Sequence, residues 1–379
     1  MNSAYLDRLK IFNATAFFMR ISFILPVVDL SGGVRVVSIY ADLLTKLGHD
    51  VRVFSVPPKN LTFKQIIKNV LKGKEFRRDR RFYESHLDNV DVDHVVIDKF
   101  RPIVDSDLPD ADIVIATWWE TAEWVWRLSS SKGKKFFFIQ HHEVFPYLPI
   151  DRVKAVWRLP LQKITISRWL VELAANEYGD PNAVLIQNSV DLNQFYAAPR
   201  DKNASPVVGL LYGRQAWKGV KVSLKAIEIA RNKFPDIRIV MFGSDEPEGK
   251  LDLPEYCKFY LRPSQDRIKD IYSQCDVWLC GSYSEGFHLP PSEAMACRCP
   301  VVSTSVGGPM DIIRDGFNGY LSPIGDEALL AANLIKVLSL PNEEWAVMSS
   351  NAYQTVASYS WTDAAKLFES ALLTADSGY

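Results

Sequence analysis

The sequence predicts an α/β protein of two Rossmann-like, doubly wound domains facing a central cleft. Three observations predict it. Short apolar runs alternate with amphipathic stretches from Arg20 to Asp191, and after a polar interruption over residues 197–206 the alternation restarts at Val207 and runs to Thr304. Glycines stand where those runs turn into helices, at Gly32-Gly33, Gly213 and Gly307-Gly308, the ends at which open parallel sheets take ligands. The length of 379 residues exceeds one typical core. The division that follows is an N-terminal domain over residues 1–196, with 1–18 an extension of undecided role, a C-terminal domain over 197–360, and a helix over 361–379 returning towards the first domain.

Composition narrows the class. Hydrophobic residues at 47% and charged residues at 23% are those of an ordinary globular protein. With 44 basic and 45 acidic residues the net charge is −1, which disfavours a general nucleic-acid binder. The five cysteines, Cys257, Cys275, Cys280, Cys297 and Cys299, all fall in the second half and lack zinc spacing. They read as buried free thiols, which favours a reducing cytoplasm. No apolar stretch reaches the roughly 18 to 20 residues that cross a bilayer, and residues 1–18 lack the apolar core and cleavage site of a signal peptide.

Residues 20–25 are an apolar run ended by Pro26, a first buried strand. After Ser31-Gly32-Gly33, residues 34–47 carry apolar positions at helical spacing up to Gly48, and residues 51–56 make the next strand. Gly32 and Gly33 would let an anionic group approach the helix N-terminus; a plain tight turn accounts for them equally. The three spaced glycines of a dinucleotide fingerprint are absent. Between Lys59 and Arg81 the chain turns basic, with lysines 64, 68 and 72 on one helical face. Such a helix suits an anionic membrane surface or an anionic acceptor, and a solvated surface helix equally. Residues 113–116 form a strand, followed by Trp118, Trp119, Trp124 and Trp126, which suit either core or a sugar-stacking platform. Residues 136–139 form a fully buried strand with Gln140-His141-His142-Glu143 just past its end. Contact of a histidine or the glutamate with a hydroxylated ligand is favoured over metal ligation, since adjacent histidines project differently and no third ligand is apparent. Ser167 is a suitable N-cap for a helix reaching Tyr178.

The second half opens with a strand over residues 207–211 and then Gly213-Arg214-Gln215-Ala216-Trp217-Lys218-Gly219. Arg214 can grip phosphate oxygens with two donors and Lys218 adds a compact charge, so the pair suits a diphosphate. A helix over 220–234, a strand over 237–242, a helix over 266–274 and a strand over 277–280 lead to the densest stretch, Ser282 to Ala296. It carries Glu285 before a glycine and Glu293 just after Pro290-Pro291. Proline is at home in the first turn of a helix, so a helix starts near Pro290 or Pro291 with Glu293 in its first turn and its free N–H groups facing an anion. Acidic residues in a first turn also simply offset the helix dipole. Residues 300–304 make a further strand, Gly307-Gly308 a third glycine turn, and residues 315–320 read as turn chemistry.

Together these residues resemble the retaining glycosyltransferases of family 4, with the GT-B fold. The resemblance rests on Glu285-Gly286-Phe287 with Glu293-Ala294-Met295-Ala296, on Pro300-Val301-Val302, Gly307-Gly308 and Asn318-Gly319, and on Gly213-Arg214 with Lys218-Gly219. Phe138-Ile139-Gln140 followed by Glu143 is similar to a rhamnosyltransferase-like subgroup that builds surface polysaccharides. The resemblance implies a nucleotide-diphosphate sugar as donor, a glycan or lipid-linked acceptor, and no metal or other cofactor. By motif position, Arg214 and Lys218, with Gly213, would hold the diphosphate. Glu293 would take the ribose hydroxyls, and Glu285 with the backbone at Gly286, Phe287, His288 and Leu289 would hold the sugar and phosphate. Gly32 and Gly33 would approach from the first domain, and His141 or His142 would border the sugar. Arg214 and Lys218 stand closer together than is usual in the family, while His288 and Arg298 occupy positions where glycine is common and Asp311 one where glutamate is frequent. A catalytically inactive GT-B module that binds nucleotide sugar or glycan is the alternative.

Overall fold

The computed structural model describes residues 18–59, 84–247 and 253–374. Almost all of the basic stretch between Lys59 and Arg81 lies outside the described residues. Two parallel sheets form the framework. The seven-stranded sheet has the order β3-β2-β1-β4-β5-β6-β7, with β1 Arg20–Ile24, β2 Asp50–Ser55, β3 Asp93–Val96, β4 Ile113–Ala116, β5 Lys134–Ile139, β6 Gln162–Thr165 and β7 Val184–Leu185. The six-stranded sheet has the order β10-β9-β8-β11-β12-β13, with β8 Val207–Leu211, β9 Arg238–Gly243, β10 Cys257–Leu261, β11 Val277–Cys280, β12 Val301–Thr304 and β13 Gly319–Ser322. In each the strand order reverses beside the first strand, the doubly wound arrangement predicted. Compactness divides the chain into one unit of residues 1–138, 159–162 and 375–379 and a second of 139–158 and 163–374.

In the first unit, β1 pairs with β2 and β4 through Ile21↔Val51 and Ile21↔Ile113. β4 is apolar throughout, and β1 and β5 are buried beyond their first residues, because both faces are covered, as parallel sheets require. The Gly32–Lys46 helix absorbs both glycines into its first turn behind Ser31 at the N-cap position, so they are helical residues rather than the preceding loop. The tryptophans after β4 divide: Trp119 and Trp124 are core, while Trp126 is exposed. The densest part of that cluster is therefore packing and not a platform.

In the second unit, both faces of the six-stranded sheet are buried, one under Ile227, Leu330 and Trp345 and the other under Phe195, Tyr272 and Met295. The polar residues 197–206, which separate β7 from β8 along the chain, have no regular structure, yet they are docked. Arg200 reaches the buried Asp276 at 3.1 Å, and Asn203 and the Val207 N–H donate to the same carboxylate at 3.0 and 2.8 Å. Residues 315–318 form the expected turn, but from Gly319 the chain continues as the edge strand β13. A methyl at Gly319 would sit 1.9 Å from the Val301 carbonyl oxygen, which is why this strand starts on glycine.

One prediction at the densest stretch needs correction. The helix runs Leu289–Ala296 with prolines at its start, and no acidic residue lies in its first turn. It begins a residue before Pro290 because His288 takes the N-cap position with a left-handed backbone, φ 68°. Glu293 accordingly falls in the second turn, where dipole compensation is weak.

Candidate functional site

The loop after β11 carries the site. Gly281 to His288 leaves the carboxyl end of the central strand, and the loop after β8, residues 212–219, lies against it. The approach is closer than any side chain would permit. Gly219 is left-handed, φ 57°, and a Cβ on it would lie 1.8 Å from the Gly281 carbonyl oxygen. The Tyr283 N–H donates to the Trp217 carbonyl at 2.7 Å, and Ser282 Oγ lies 3.4 Å from the Lys218 carbonyl oxygen.

This contact brings together two residues that stand far apart in sequence. Lys218 Nζ donates to both Glu285 oxygens, at 3.0 Å to Oε1 and 2.9 Å to Oε2. Ser282 Oγ donates to Oε1 at 2.8 Å, and His288 Nδ1 lies 3.3 Å from the same oxygen. Glu285 and His288 are buried, whereas the Lys218 side chain is 25% exposed and so reachable from solvent. Burial alone would raise the Glu285 carboxyl, but the charges of His288 and Lys218 outweigh it and hold the group below its ordinary range. Burial also opposes charge on His288; the neighbouring Cys280 thiol and Glu285 prevail and raise it. In return His288 brings the buried Cys280 thiol down to about 7. Lys218 and Glu285, expected to touch different parts of a ligand, here neutralise each other.

Glu293 is buried, and the Tyr272 hydroxyl donates to its Oε2 at 2.7 Å. Arg214 is exposed, with its guanidinium 3.7 Å from Asp245. Gly213 supports Lys218, since a Cβ there would press on Lys218 Cγ at 2.8 Å. Gly286 has no room for a side chain: a Cβ would lie 1.8 Å from the Gln140 carbonyl oxygen. The Gly286 carbonyl accepts from Ser167 Oγ at 3.1 Å and Trp169 Nε1 at 3.0 Å. Ser167 thus holds the N-cap position of the Arg168–Tyr178 helix as predicted but spends its hydroxyl on Gly286 instead of on its own helix. Phe287 is buried and its carbonyl accepts from the Gly308 N–H at 2.8 Å. Asp311 accepts from the Arg168 N–H at 3.0 Å.

The two histidines separate. His141 shares hydrogen bonds with the His142 carbonyl at 2.9 Å and with Ser284 Oγ at 3.2 Å, which places it against the Glu285 loop. His142 turns away, with Nε2 2.7 Å from the Tyr178 hydroxyl and its ring edge-on to Trp157. Burial lowers both, His142 to about 4. Gly32 and Gly33 lie in the first unit, where a Cβ on Gly32 would meet open space. Sequence reasoning missed an aromatic stack beside Lys218. Phe145 stacks on Trp217 at 4.6 Å and on His141 at 5.0 Å, and lies parallel to the exposed Tyr147 at 5.5 Å. The residue types were visible, but not that loops about 70 residues apart would stack them. Among the described residues, no group of three His, Cys, Asp or Glu side chains is placed to hold a metal, and no helix is long and apolar enough to cross a membrane.

Residues 194–355 match the family model described as glycosyl transferases group 1. The chain is 29% identical over 194 residues to a D-inositol 3-phosphate glycosyltransferase of Mycolicibacterium smegmatis, covering 47% of this chain and 44% of that protein. It is 31% identical over 209 residues to the protein of that name from Mycobacterium marinum, covering 50% and 45%. The chain therefore spans about half the length of the curated relatives it matches. Among solved structures, Anabaena HepE in complex with UDP-glucose is similar with a TM-score of 0.69 at 18% identity, covering 94% of this chain and 99% of that one. Sucrose-phosphate synthase from Thermosynechococcus elongatus gives 0.67 at 17%, covering 93% and 97%. At these identities the likeness establishes the fold, two parallel-sheet Rossmann-like domains of GT-B type.

Proposed function

From a GT-B fold whose residues 194–355 are of the glycosyl transferases group 1 type, we propose that this chain is a retaining hexosyltransferase of family 4. It moves a hexose or deoxyhexose from a nucleotide-diphosphate sugar to a glycan or lipid-linked glycan, without a metal ion, in surface polysaccharide or glycoconjugate synthesis. The Phe138-Ile139-Gln140 motif supports a rhamnosyltransferase-like member of that family. The observation that carries the proposal is the partly exposed Lys218 set on the buried Glu285 at 2.9 Å, between a glycine loop and a helix start. Departure of a nucleoside diphosphate develops negative charge, and a cation near the positive end of a helix stabilises it; Pro290 and Pro291 carry no N–H, so the helix contributes through its dipole and the Leu289 N–H.

In this reading Lys218 and Arg214 take the diphosphate, with Gly213 keeping the loop low. The Gly286, Phe287, His288 and Leu289 backbone and Glu285 hold the transferred sugar, while Glu293, oriented by Tyr272, takes the ribose hydroxyls. Front-face attack, in which the leaving phosphate accepts the acceptor's proton, accounts for retention without a carboxylate nucleophile. His141, next to the Glu285 loop, borders the sugar, and His142 supports it through Tyr178 and Trp157. The exposed ring of Tyr147, continued inward by Phe145 and Trp217, suits the face of an acceptor pyranose. Work at the inner face of an anionic membrane, through the basic residues between Lys59 and Arg81, completes the proposal.

The test is a thermal-shift panel of nucleotides and nucleotide sugars in EDTA, on the wild-type chain and Lys218→Ala. A ligand at about 100 times its Kd adds about 2.7 kcal/mol to the folded state, a shift of several degrees. We expect one nucleotide sugar to give it in EDTA. Lys218→Ala should remain folded, bind that ligand more weakly and lose transfer. Stabilisation by no nucleotide sugar would reject the proposal, a magnesium requirement would reject its metal-free form, and unchanged turnover in Lys218→Ala would remove that residue.

A further inference from the structure

The Glu285 carboxylate is surrounded by more positive charge than a sugar-holding group needs. Lys218 alone would neutralise it at 2.9 Å, and a lysine so occupied offers an arriving diphosphate no net charge. His288 alters that balance. It stands at the N-cap of the Leu289–Ala296 helix in a left-handed conformation that glycine would adopt freely, and its ring makes no capping bond to that helix. The ring is buried and directed at Glu285, with Nδ1 3.3 Å from Oε1 on the oxygen that Ser282 also serves.

Resting on the donor site proposed above, we infer that His288, as an imidazolium, is a positioning residue that neutralises Glu285 in place of Lys218 and so releases Lys218 to the donor diphosphate. Two observations support the exchange. Lys218 is the solvent-reachable member of the cluster, 25% exposed against 7% for Glu285 and 4% for the His288 side chain, so it is the one that can turn to a ligand. When it turns, Glu285 keeps Ser282 Oγ and His288, so no buried carboxylate is stranded without a counter-charge.

The charged and titratable groups facing His288 are Glu285, Lys218 and Cys280. Burial resists the ring's charge, and Cys280 and Glu285 together raise it above its ordinary range. The sign follows. As pH rises through the raised value the imidazolium is lost, Glu285 reclaims Lys218, and donor binding weakens. Ionisation of Cys280 near 7 acts in the same direction by cancelling the imidazolium's charge.

The experiment is calorimetric titration of the full chain from pH 6 to 9 with UDP-glucose, or with the nucleotide sugar that gave the largest thermal shift. The diphosphate of such a ligand stays doubly charged across that range, so a slope does not come from its phosphates. Wild-type affinity should fall about tenfold, the equivalent of one pKa unit of coupling. His288→Asn, which tolerates the left-handed backbone, and His288→Gly, which adopts it freely, should both bind about tenfold more weakly at pH 6 and show little slope. Cys280→Ser should keep a slope, moved to lower pH. Wild-type affinity and slope in both His288 variants would overturn the inference, as would loss of the slope in Cys280→Ser with the His288 variants unchanged. If Lys218→Ala alone loses binding, the donor site stands and the role of His288 falls; if no nucleotide sugar binds the wild-type chain, both fall.

Discussion

Gly286→Ala adds one methyl group at the point where the site loop meets the chain after β5. Its Cβ would lie 1.8 Å from the Gln140 carbonyl oxygen, 2.9 Å from that carbonyl carbon and 3.6 Å from His141 Cα. Real Cβ atoms essentially never approach closer than 3.0 Å, so one backbone segment must retreat by about 1.2 Å, the difference between 3.0 and 1.8 Å. The Gly286 carbonyl is bonded by Ser167 Oγ at 3.1 Å and Trp169 Nε1 at 3.0 Å, and a retreat of that size by the Gly286 segment breaks both. Two hydrogen bonds at about 0.5–1.5 kcal/mol each, with an overpacking cost of about 1–3 kcal/mol, give roughly 2–6 kcal/mol. That is a large share of the about 5–15 kcal/mol that holds an ordinary protein folded.

Urea unfolding followed by tryptophan fluorescence reads the loss as a lower midpoint, and the same protein should fail to bind a nucleotide sugar because Glu285 moves with its neighbour. Gly32→Ala is the internal control for stability. Its Cβ would meet nothing within 4 Å and it lies inside a helix, so it should be neutral or stabilising by up to about 1 kcal/mol. Wild-type stability and ligand binding in Gly286→Ala would refute the close contact on which this geometry rests.

Tyr272→Phe removes the hydroxyl that donates to Glu293 at 2.7 Å; the chain should lose about 1 kcal/mol of stability and bind nucleotide more weakly, read by denaturation and titration, with equal affinity arguing against Glu293 as the ribose contact. His142 is held down to about 4 from 6.5 by burial, so the unfolded chain takes up its proton first, and stability present above pH 6.5 should be lost as pH falls towards 4. The ceiling from that 2.5-unit difference is about 3 kcal/mol, reduced by partial exposure, and His142→Gln should flatten the acid limb of the stability profile.

Much of this fold was legible because its central strands are buried on both faces. Residues 113–116, 207–211 and 277–280 are continuous apolar runs, and the structure begins and ends those strands where the runs do. The strands that escaped are edge strands: β3 alternates exposed and half-buried positions, β10 is mostly half-exposed, and β13 starts on a glycine inside a turn motif. Their pairing comes from a neighbouring strand and not from their own pattern. The site divides similarly. Charges and glycines at strand ends marked Lys218, Glu285, Gly219 and Gly286, because the residue types themselves are unusual there. What could not be read was that Lys218 and Glu285 would bond each other, or that Ser167 and Trp169 would fix Gly286. Those are contacts across about 70 to 120 positions of chain, set by how strands order in a sheet.

The two positions where this chain departs from the glycines common in the family it resembles are explained together by backbone geometry. His288 and Arg298 flank the Leu289–Ala296 helix at its two ends, and both are left-handed, with φ of 68° and 61°. That conformation costs a residue bearing a Cβ roughly 1–2 kcal/mol, so the helix ends impose it and glycine is the easy solution. A larger residue persists if its side chain returns the difference. Arg298 does so by donating from Nε to the Ala197 carbonyl at 3.0 Å, which pins the start of the polar stretch, and by lying over the Tyr353 ring at 4.5 Å. His288 does so with Glu285 at 3.3 Å. One contact is structural and far from the paired charges; the other sits among them. The same backbone requirement thus yields a clasp at one end of the helix and, at the other, a charge next to Lys218.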